Sequence, residues 1–229
     1  MLQNFESLVL IWLGIGFITF ITLLKIPAPY GKFSKTNWGP MIPSKLGWIV
    51  MEIISPLALL YFFLNGNIEK TPTNITFISL WTLHYFNRSV IYPLRQNNPA
   101  QMPLIIAVLA FLFNVMNGYI NGTYFGSIQE YSAEYMSNWN FIIGVCLFIF
   151  GAYINIKSDN ILLSLRSKSG EYKIPEGFMF RYVSFPNYLG EILEWMAFAL
   201  MTWSLAGLSF MIWTMANLVP RAIKGHQWY

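Results

Sequence analysis

NYLGEILEWMAFALMTWSLAGLSFMIWTMANLV, residues 187–219, is a run of 33 residues whose only charged members are Glu191 and Glu194. As a single α-helix it would be roughly 50 Å long at about 1.5 Å per residue. That is too long for a hydrocarbon layer of about 30 Å without extreme tilt. A break near Ser204–Gly207 turns it into two helices. The fold depends on this choice, because it decides whether the chain crosses a membrane six times or seven.

Outward from this run, the rest of the chain repeats its character. Hydrophobic residues make up 55% of the 229 and charged residues 10%, a balance that points to a membrane protein rather than a soluble domain. Further apolar runs occur at Leu8–Leu24, Leu46–Leu64, Ile75–Leu94, Pro103–Ile120 and Trp139–Ile156. Each is long enough to span as a helix, and none alternates as barrel strands do. The reading is all-α: one polytopic transmembrane domain covering residues 1–229. The first run lacks a basic flank and a small-residue cleavage site, so it reads as a retained helix rather than a signal peptide.

Charge selects the number of spans. With seven, 13 of the 14 basic residues fall on one side of the membrane and only Lys70 on the other. With six, Arg221 and Lys224 change sides and the division weakens to 11 against 3. The positive-inside rule therefore selects seven helices, with the N-terminus outside and the C-terminus in the cytosol. The bacterial inner membrane and the endoplasmic reticulum both fit, with a lean to the former. Asn121–Asn138 becomes an outer connection and Lys157–Pro186 a long cytosolic one, suited to covering a ligand. Pro56 is expected to kink the second helix one turn after Glu52. Cys146, the single cysteine, excludes an intrachain disulfide and reads as a small buried apolar residue.

Ionisable side chains inside apolar runs mark function by default. Glu52 is one. In a low-dielectric site its neutral acid form is favoured. That form can donate to a carbonyl oxygen, more strongly as the oxygen becomes an enolate. His84 and Arg88 lie four apart on one helix face, with Tyr85 beside them. A buried Tyr hydroxyl needs a partner and can donate to a carbonyl. Asn187, Glu191 and Glu194 recur at i, i+4 and i+7 as one polar stripe. At the cytosolic boundary stand Asn155, Lys157, Asp159, Arg166, Lys168, Tyr172, Lys173, Arg181, Arg221, Lys224 and His226. That cluster serves either phosphate binding or ordinary charge topology. With two histidines and no HExxH spacing, no metal site is expected. No GxGxxG or GxxxxGK[ST] is present, so a nucleotide site here is neither Rossmann nor P-loop.

In their order along the chain these residues resemble the steroid 5α-reductase family. The matching segments are Trp48-Ile-Val-Met-Glu52, His84-Tyr-Phe-Asn-Arg88, Gly151-Ala-Tyr-Ile-Asn155-Ile-Lys-Ser-Asp159, Asn187-Tyr-Leu-Gly-Glu191-Ile-Leu-Glu194-Trp195 and Pro220-Arg-Ala through His226-Gln-Trp-Tyr229. The resemblance implies a seven-helix enzyme that uses NADPH to reduce the carbon–carbon double bond of a Δ4-3-keto steroid. It implies that Glu52 and Tyr85 hold the keto oxygen. It also implies that Arg88, Asn155, Asp159, Arg166, Tyr172, Asn187, Glu191, Arg221, His226 and Tyr229 bind the cofactor, with Glu191 orienting the nicotinamide amide. Met51 and Asn87 depart from the Gln and His that relatives can carry, which bears on substrate preference. Relatives continue past the position of Tyr229 with a basic, Tyr-Pro-containing tail, which bears on cofactor closure.

The expected partners are a lipid-soluble steroid or related enone and membrane lipid, without nucleic acid or an obligatory protein partner. Two enzymatic alternatives stay open: a reductase of an enoyl-CoA or polyprenoid, and a membrane methyltransferase using S-adenosylmethionine. A transporter with Glu52, Glu191 and Glu194 as relay groups is disfavoured. The chain has no inverted repeat, and its polar residues gather at one face.

Overall fold

The computed structural model describes residues 2–96, 100–165 and 173–228. Arg166, Lys168, Tyr172 and Tyr229 lie outside the described residues. The described residues are mostly helical: α1 Leu2–Lys25, α2 Ser44–Leu64, α3 Pro72–Phe86, α4 Tyr92–Leu94, α5 Leu104–Thr123, α6 Trp139–Leu165, α7 Pro186–Thr202 and α8 Leu205–His226. A π-helical turn, Asn87–Ile91, carries α3 directly into α4, and another, Tyr124–Ile128, extends α5. α1, α2, Leu104–Ile128 and α6 are long and apolar enough to cross a membrane. Their outer faces are apolar: Ile11 and Phe17 of α1, Leu57 of α2, Leu112 of α5 and Ile149 of α6 are all exposed. Water would penalise such a surface and a bilayer solvates it, so this is an integral membrane protein.

The run 187–219 is two helices. α7 ends at Trp203, which adopts a left-handed conformation with φ 46° and ψ 44°. For a bulky residue that region is unfavourable and needs outside support. The Trp203 N–H donates to the Ala199 carbonyl at 3.0 Å. Ser204 then caps α8 by accepting from the Gly207 N–H at 2.9 Å. Gly207 is required there, because a Cβ would come within 2.5 Å of Thr202 Oγ1. The two helices run antiparallel. Near the turn Phe210 packs on Trp195 with ring centroids 4.5 Å apart. Farther along, Arg221 Nε donates to the Tyr188 hydroxyl at 3.0 Å.

Two compact units emerge, one holding α1 and α6–α8, the other holding α2–α5. Apolar burial gains little in hydrocarbon, so close packing must hold helices together. In the first unit, α6 meets α7 backbone to backbone. A Cβ on Gly151 would lie 2.7 Å from the Gly190 carbonyl oxygen, and one on Gly190 would lie 2.5 Å from the Asn155 nitrogen. On the other side of the unit, α1 rests on α8 through Trp12 and Trp213, whose centroids are 4.5 Å apart. Trp213 Nε1 also donates to the Trp12 carbonyl at 3.1 Å.

In the second unit, Gly118, Gly122 and Gly126 form a small-residue ridge on α5 and its extension. They pack on Ala58, Leu59, Phe62 and Phe63 of α2, and the contacts advance together, so α2 and α5 run parallel. Both helices spring from a two-stranded antiparallel ribbon, β1 Met41–Pro43 paired with β2 Gln101–Pro103. The closing bonds are Ser44 N–H to the Ala100 carbonyl and Leu104 N–H to the Pro40 carbonyl. At the far end Tyr131 lies against Phe77, Phe125 and Tyr135.

α2 runs through Pro56 as one continuous helix. Two expectations change. The connection expected from Lys157 begins later, because α6 continues to Leu165. Cys146 is exposed rather than buried. α6 turns its Gly144 and Gly151 side to α7, and two residues beyond Gly144 a helix points the opposite way.

Candidate active site

Glu52, Tyr85 and Arg88 belong to the second unit. Glu52 is half-buried on α2, while Tyr85 and Arg88 are buried on α3 and the π-turn that follows it. Asn114, a buried residue of α5, links Tyr85 to the backbone beside Glu52. Asn114 Nδ2 donates to the Met51 carbonyl at 2.7 Å, one residue before Glu52. The Tyr85 hydroxyl donates to Asn114 Oδ1 at 3.4 Å. Trp81 Nε1 donates to Ser55 Oγ at 3.1 Å, a second tie between α3 and α2. Pro56 contributes no N–H to the Glu52 carbonyl one turn earlier, which relaxes the helix beside the carboxyl group.

The Arg88 guanidinium stands 5.3 Å from the Trp48 ring centroid and 5.2 Å from that of Tyr92. Trp48 Nε1 donates to the Arg88 carbonyl at 3.1 Å. The π-turn accommodates this by re-aiming Arg88 off the regular helical register, as such turns do at functional sites. His84 packs edge-on against Tyr85 at 5.2 Å.

The first unit gathers a polar cluster on α6 and α7. Asn155 Nδ2 donates to the Asn187 carbonyl at 2.9 Å, and Asn187 Nδ2 donates to Asp159 Oδ1 at 3.1 Å. Asn155, Ser158, Asp159 and Asn187 are all buried. The Gly151–Gly190 contact makes this possible, because only bare backbones let α6 approach closely enough for Asn155 to reach α7. Within the group Asn155, Ser158, Asp159 and Asn187, two buried side-chain atoms have no hydrogen-bond partner among the described residues: Ser158 Oγ and Asn187 Oδ1. A hydroxyl and an amide oxygen left open in a buried cluster are costly unless a polar ligand meets them.

Glu191 lies half-buried one turn beyond Asn187, and Glu194 is buried beside Gly151. Arg221 and His226 sit on α8. Arg221 is engaged by Tyr188, as above, and His226 Nδ1 lies 2.6 Å from Ser184 Oγ. His226 also borders a mostly apolar pocket of about 520 Å³ lined by Phe185, Tyr188, Val219 and Ile223. Lys157 donates to the Tyr153 hydroxyl at 2.9 Å. It also stands 4.5 Å from the Phe178 ring centroid, pinning that segment to α6.

The structure thus brings Asn155, Asp159 and Asn187 into direct contact and connects Tyr85 to the backbone beside Glu52 through Asn114. It engages Arg221 and His226 separately, through Tyr188 and Ser184. Sequence reasoning missed Asn114, Ser158, Ser184 and Tyr188. A signal for the first was available: Asn114, Asn117 and Asn121 repeat at i, i+3 and i+7 in an apolar run, the same kind of stripe that marked Asn187, Glu191 and Glu194.

Residues 100–229 match the family model described as 3-oxo-5-alpha-steroid 4-dehydrogenase. Steroid 5-alpha-reductase DET2 of Arabidopsis thaliana is 41% identical over 222 residues, covering 92% of this chain and 84% of the relative. The protein of that name from Solanum lycopersicum is 42% identical over 229 residues, covering 98% and 89%. The 3-oxo-5-alpha-steroid 4-dehydrogenase 1 of Rattus norvegicus is 35% identical over 219 residues, covering 93% and 84%. With relatives this similar along nearly its whole length, the chain belongs to the steroid 5-alpha-reductase family, a family of oxidoreductases.

Proposed function

We propose that this protein reduces the carbon–carbon double bond of a Δ4-3-keto steroid with NADPH, giving the 5α-dihydro product. Family membership supports the reaction class. The observation that carries the cofactor is the buried Asn155–Asp159–Asn187 cluster with its open Ser158 Oγ and Asn187 Oδ1. A ligand rich in hydroxyl and amide groups, as a nicotinamide dinucleotide is, suits those atoms. Asn155, Asp159, Asn187 and Glu191 would hold its polar groups. Arg88, Arg166, Tyr172, Arg221, His226 and Tyr229 complete the proposed cofactor set, the arginines suiting phosphate.

When bound, the cofactor supplies the hydride that reaches the β-carbon of the enone. The chain's own part is to stabilise the charge that grows on the keto oxygen. Glu52, as a neutral acid, and Tyr85 donate to that oxygen, and their bonds strengthen as it becomes an enolate. A proton from water or a nearby acid completes the α-carbon. The apolar helix surface suits a substrate that arrives dissolved in the bilayer.

The same reading includes the topology. The chain works as one transmembrane domain of seven spans, N-terminus outside and C-terminus cytosolic. The antiparallel α7–α8 hairpin and the parallel α2–α5 pair support this reading. With α7 and α8 counted separately, 13 of the 14 basic residues fall on the cytosolic side.

Detergent-purified protein is mixed with NADPH and progesterone, and the 5α-dihydro product is sought by mass spectrometry. Product that requires NADPH and disappears in Glu52→Ala supports the reaction and the role of Glu52. NADPH binding without product redirects the search to other enones. No NADPH binding overturns the cofactor reading.

A further inference from the structure

We infer that Asn114 is a positioning residue for the reaction, setting the Tyr85 hydroxyl and the α2 backbone beside Glu52 in register. The inference rests on the proposed oxygen-binding role of Tyr85. Its own basis is the geometry of one amide. The Met51 carbonyl oxygen can only accept, so the Asn114 atom 2.7 Å from it must be the NH2 group. That fixes the other end as the oxygen. The contact from Tyr85 at 3.4 Å is therefore a hydroxyl donating to an amide oxygen. Flipping the amide would set two oxygens face to face at Met51, so the orientation is locked.

Two consequences follow for Tyr85. Its hydroxyl has a built-in acceptor on α5, so its hydrogen is already aimed before substrate arrives. At 3.4 Å this bond is long for an O–H donor, whose usual length is about 2.7–2.8 Å. A bond of that length does little to oppose donation to a better acceptor. A keto oxygen gaining negative charge is such an acceptor, and a neutral amide oxygen is not. Asn114 thus holds the donor in place without competing for it at the moment of charge development. The same amide ties α5 to the α2 backbone one residue before Glu52, so both proposed donors depend on one side chain.

A buried Asn between apolar helices can also be simple packing glue. A double-mutant cycle separates the two roles. Turnover at saturating NADPH and NADPH affinity are measured for wild type, Asn114→Leu, Tyr85→Phe and the double variant. Asn114→Leu should lower kcat roughly threefold to tenfold, the worth of one neutral hydrogen bond, with NADPH affinity unchanged. In the Tyr85→Phe background the same change should lower kcat by a clearly smaller factor, because only the tie to the α2 backbone is then left to lose. Asn114→Ser, smaller and still able to accept, serves if the Leu variant does not fold, and should keep more activity than Asn114→Ala. Equal losses in both backgrounds overturn the positioning role while leaving Tyr85 intact. Full activity in Tyr85→Phe alone overturns the role of Tyr85 and this inference with it.

Discussion

Alanine at Gly190 tests how the polar cluster depends on the helix contact beneath it. The new Cβ would lie 2.5 Å from the Asn155 nitrogen and 2.6 Å from the Gly151 carbonyl oxygen. Both are backbone atoms, so no side chain can swing aside. Reaching an ordinary contact of 3.4 Å requires α6 and α7 to part by about 0.9 Å. Shifted that far, the 2.9 Å bond from Asn155 to Asn187 and the 3.1 Å bond from Asn187 to Asp159 both exceed hydrogen-bonding range. Overpacking of this kind costs about 1–3 kcal/mol. The two bonds add about 0.6–1.7 kcal/mol each. Helix propensity returns only about 1 kcal/mol for replacing Gly by Ala. The net loss is about 1–5 kcal/mol of stability. NADPH affinity should fall at least about tenfold, since one bond lost from the cofactor is worth about 1.4 kcal/mol. Thermal unfolding in detergent and NADPH titration by protein fluorescence read the two effects. Gly14→Ala is the control, since nothing lies within 4 Å of its Cβ. A Gly190→Ala protein that binds NADPH within twofold of wild type would refute the claim that this contact assembles the cluster.

Glu52→Gln should leave NADPH affinity nearly intact while cutting kcat about a hundredfold, the scale of losing one donor to a developing oxyanion; steady-state turnover with progesterone checks it. Ser158→Ala should raise the unfolding midpoint of the ligand-free protein, since an unsatisfied buried hydroxyl costs about 1 kcal/mol or more. It should also weaken NADPH binding severalfold, and a lowered midpoint would instead mark Ser158 as structural. Tyr131 concerns pH. Burial, then the neighbouring Tyr124 and Tyr135, hold its phenol above the ordinary value of 10.0. The folded state keeps the proton where the unfolded chain releases it. Stability is therefore insensitive to this group below about pH 9 and falls above pH 10, by up to about 1.4 kcal/mol per pH unit. Tyr131→Phe should flatten that decline in alkaline unfolding curves.

The sequence was most legible where one physical rule dominated. Apolar length located the long helices, and the excess length of residues 187–219 located the α7–α8 turn to within a residue or two. Composition could not reveal the β1–β2 ribbon, because three-residue strands separated by some 60 positions carry no periodicity. The end of α6 was misjudged because charge at Lys157 and Asp159 looks like a loop. A helix emerging from a membrane keeps its hydrogen bonds, and those residues were its continuation. The site was legible as residue types and incomplete as geometry. Asn155, Asp159 and Asn187 stand out by their place in the chain, and the resemblance gives them a role, but the glycine contact that joins them needs two helices in view. Asn114 was passed over because uncharged amides draw less notice than carboxylates.

The turn at Trp203 has one further consequence. Trp203 and Trp139 are exposed, with ring centroids 6.1 Å apart, and paired indoles of this kind favour the boundary where lipid headgroups meet acyl chains. From Trp139 to Asn155 along α6, and from Trp203 back to Asn187 along α7, the rise is the same, about 24 Å at 1.5 Å per residue. Two independent rulers therefore set the Asn155–Asn187 pair at one depth, most of a leaflet pair below the indoles. A polyanionic dinucleotide meeting that pair would approach from the aqueous phase opposite the tryptophans, and its phosphates would not have to cross oil.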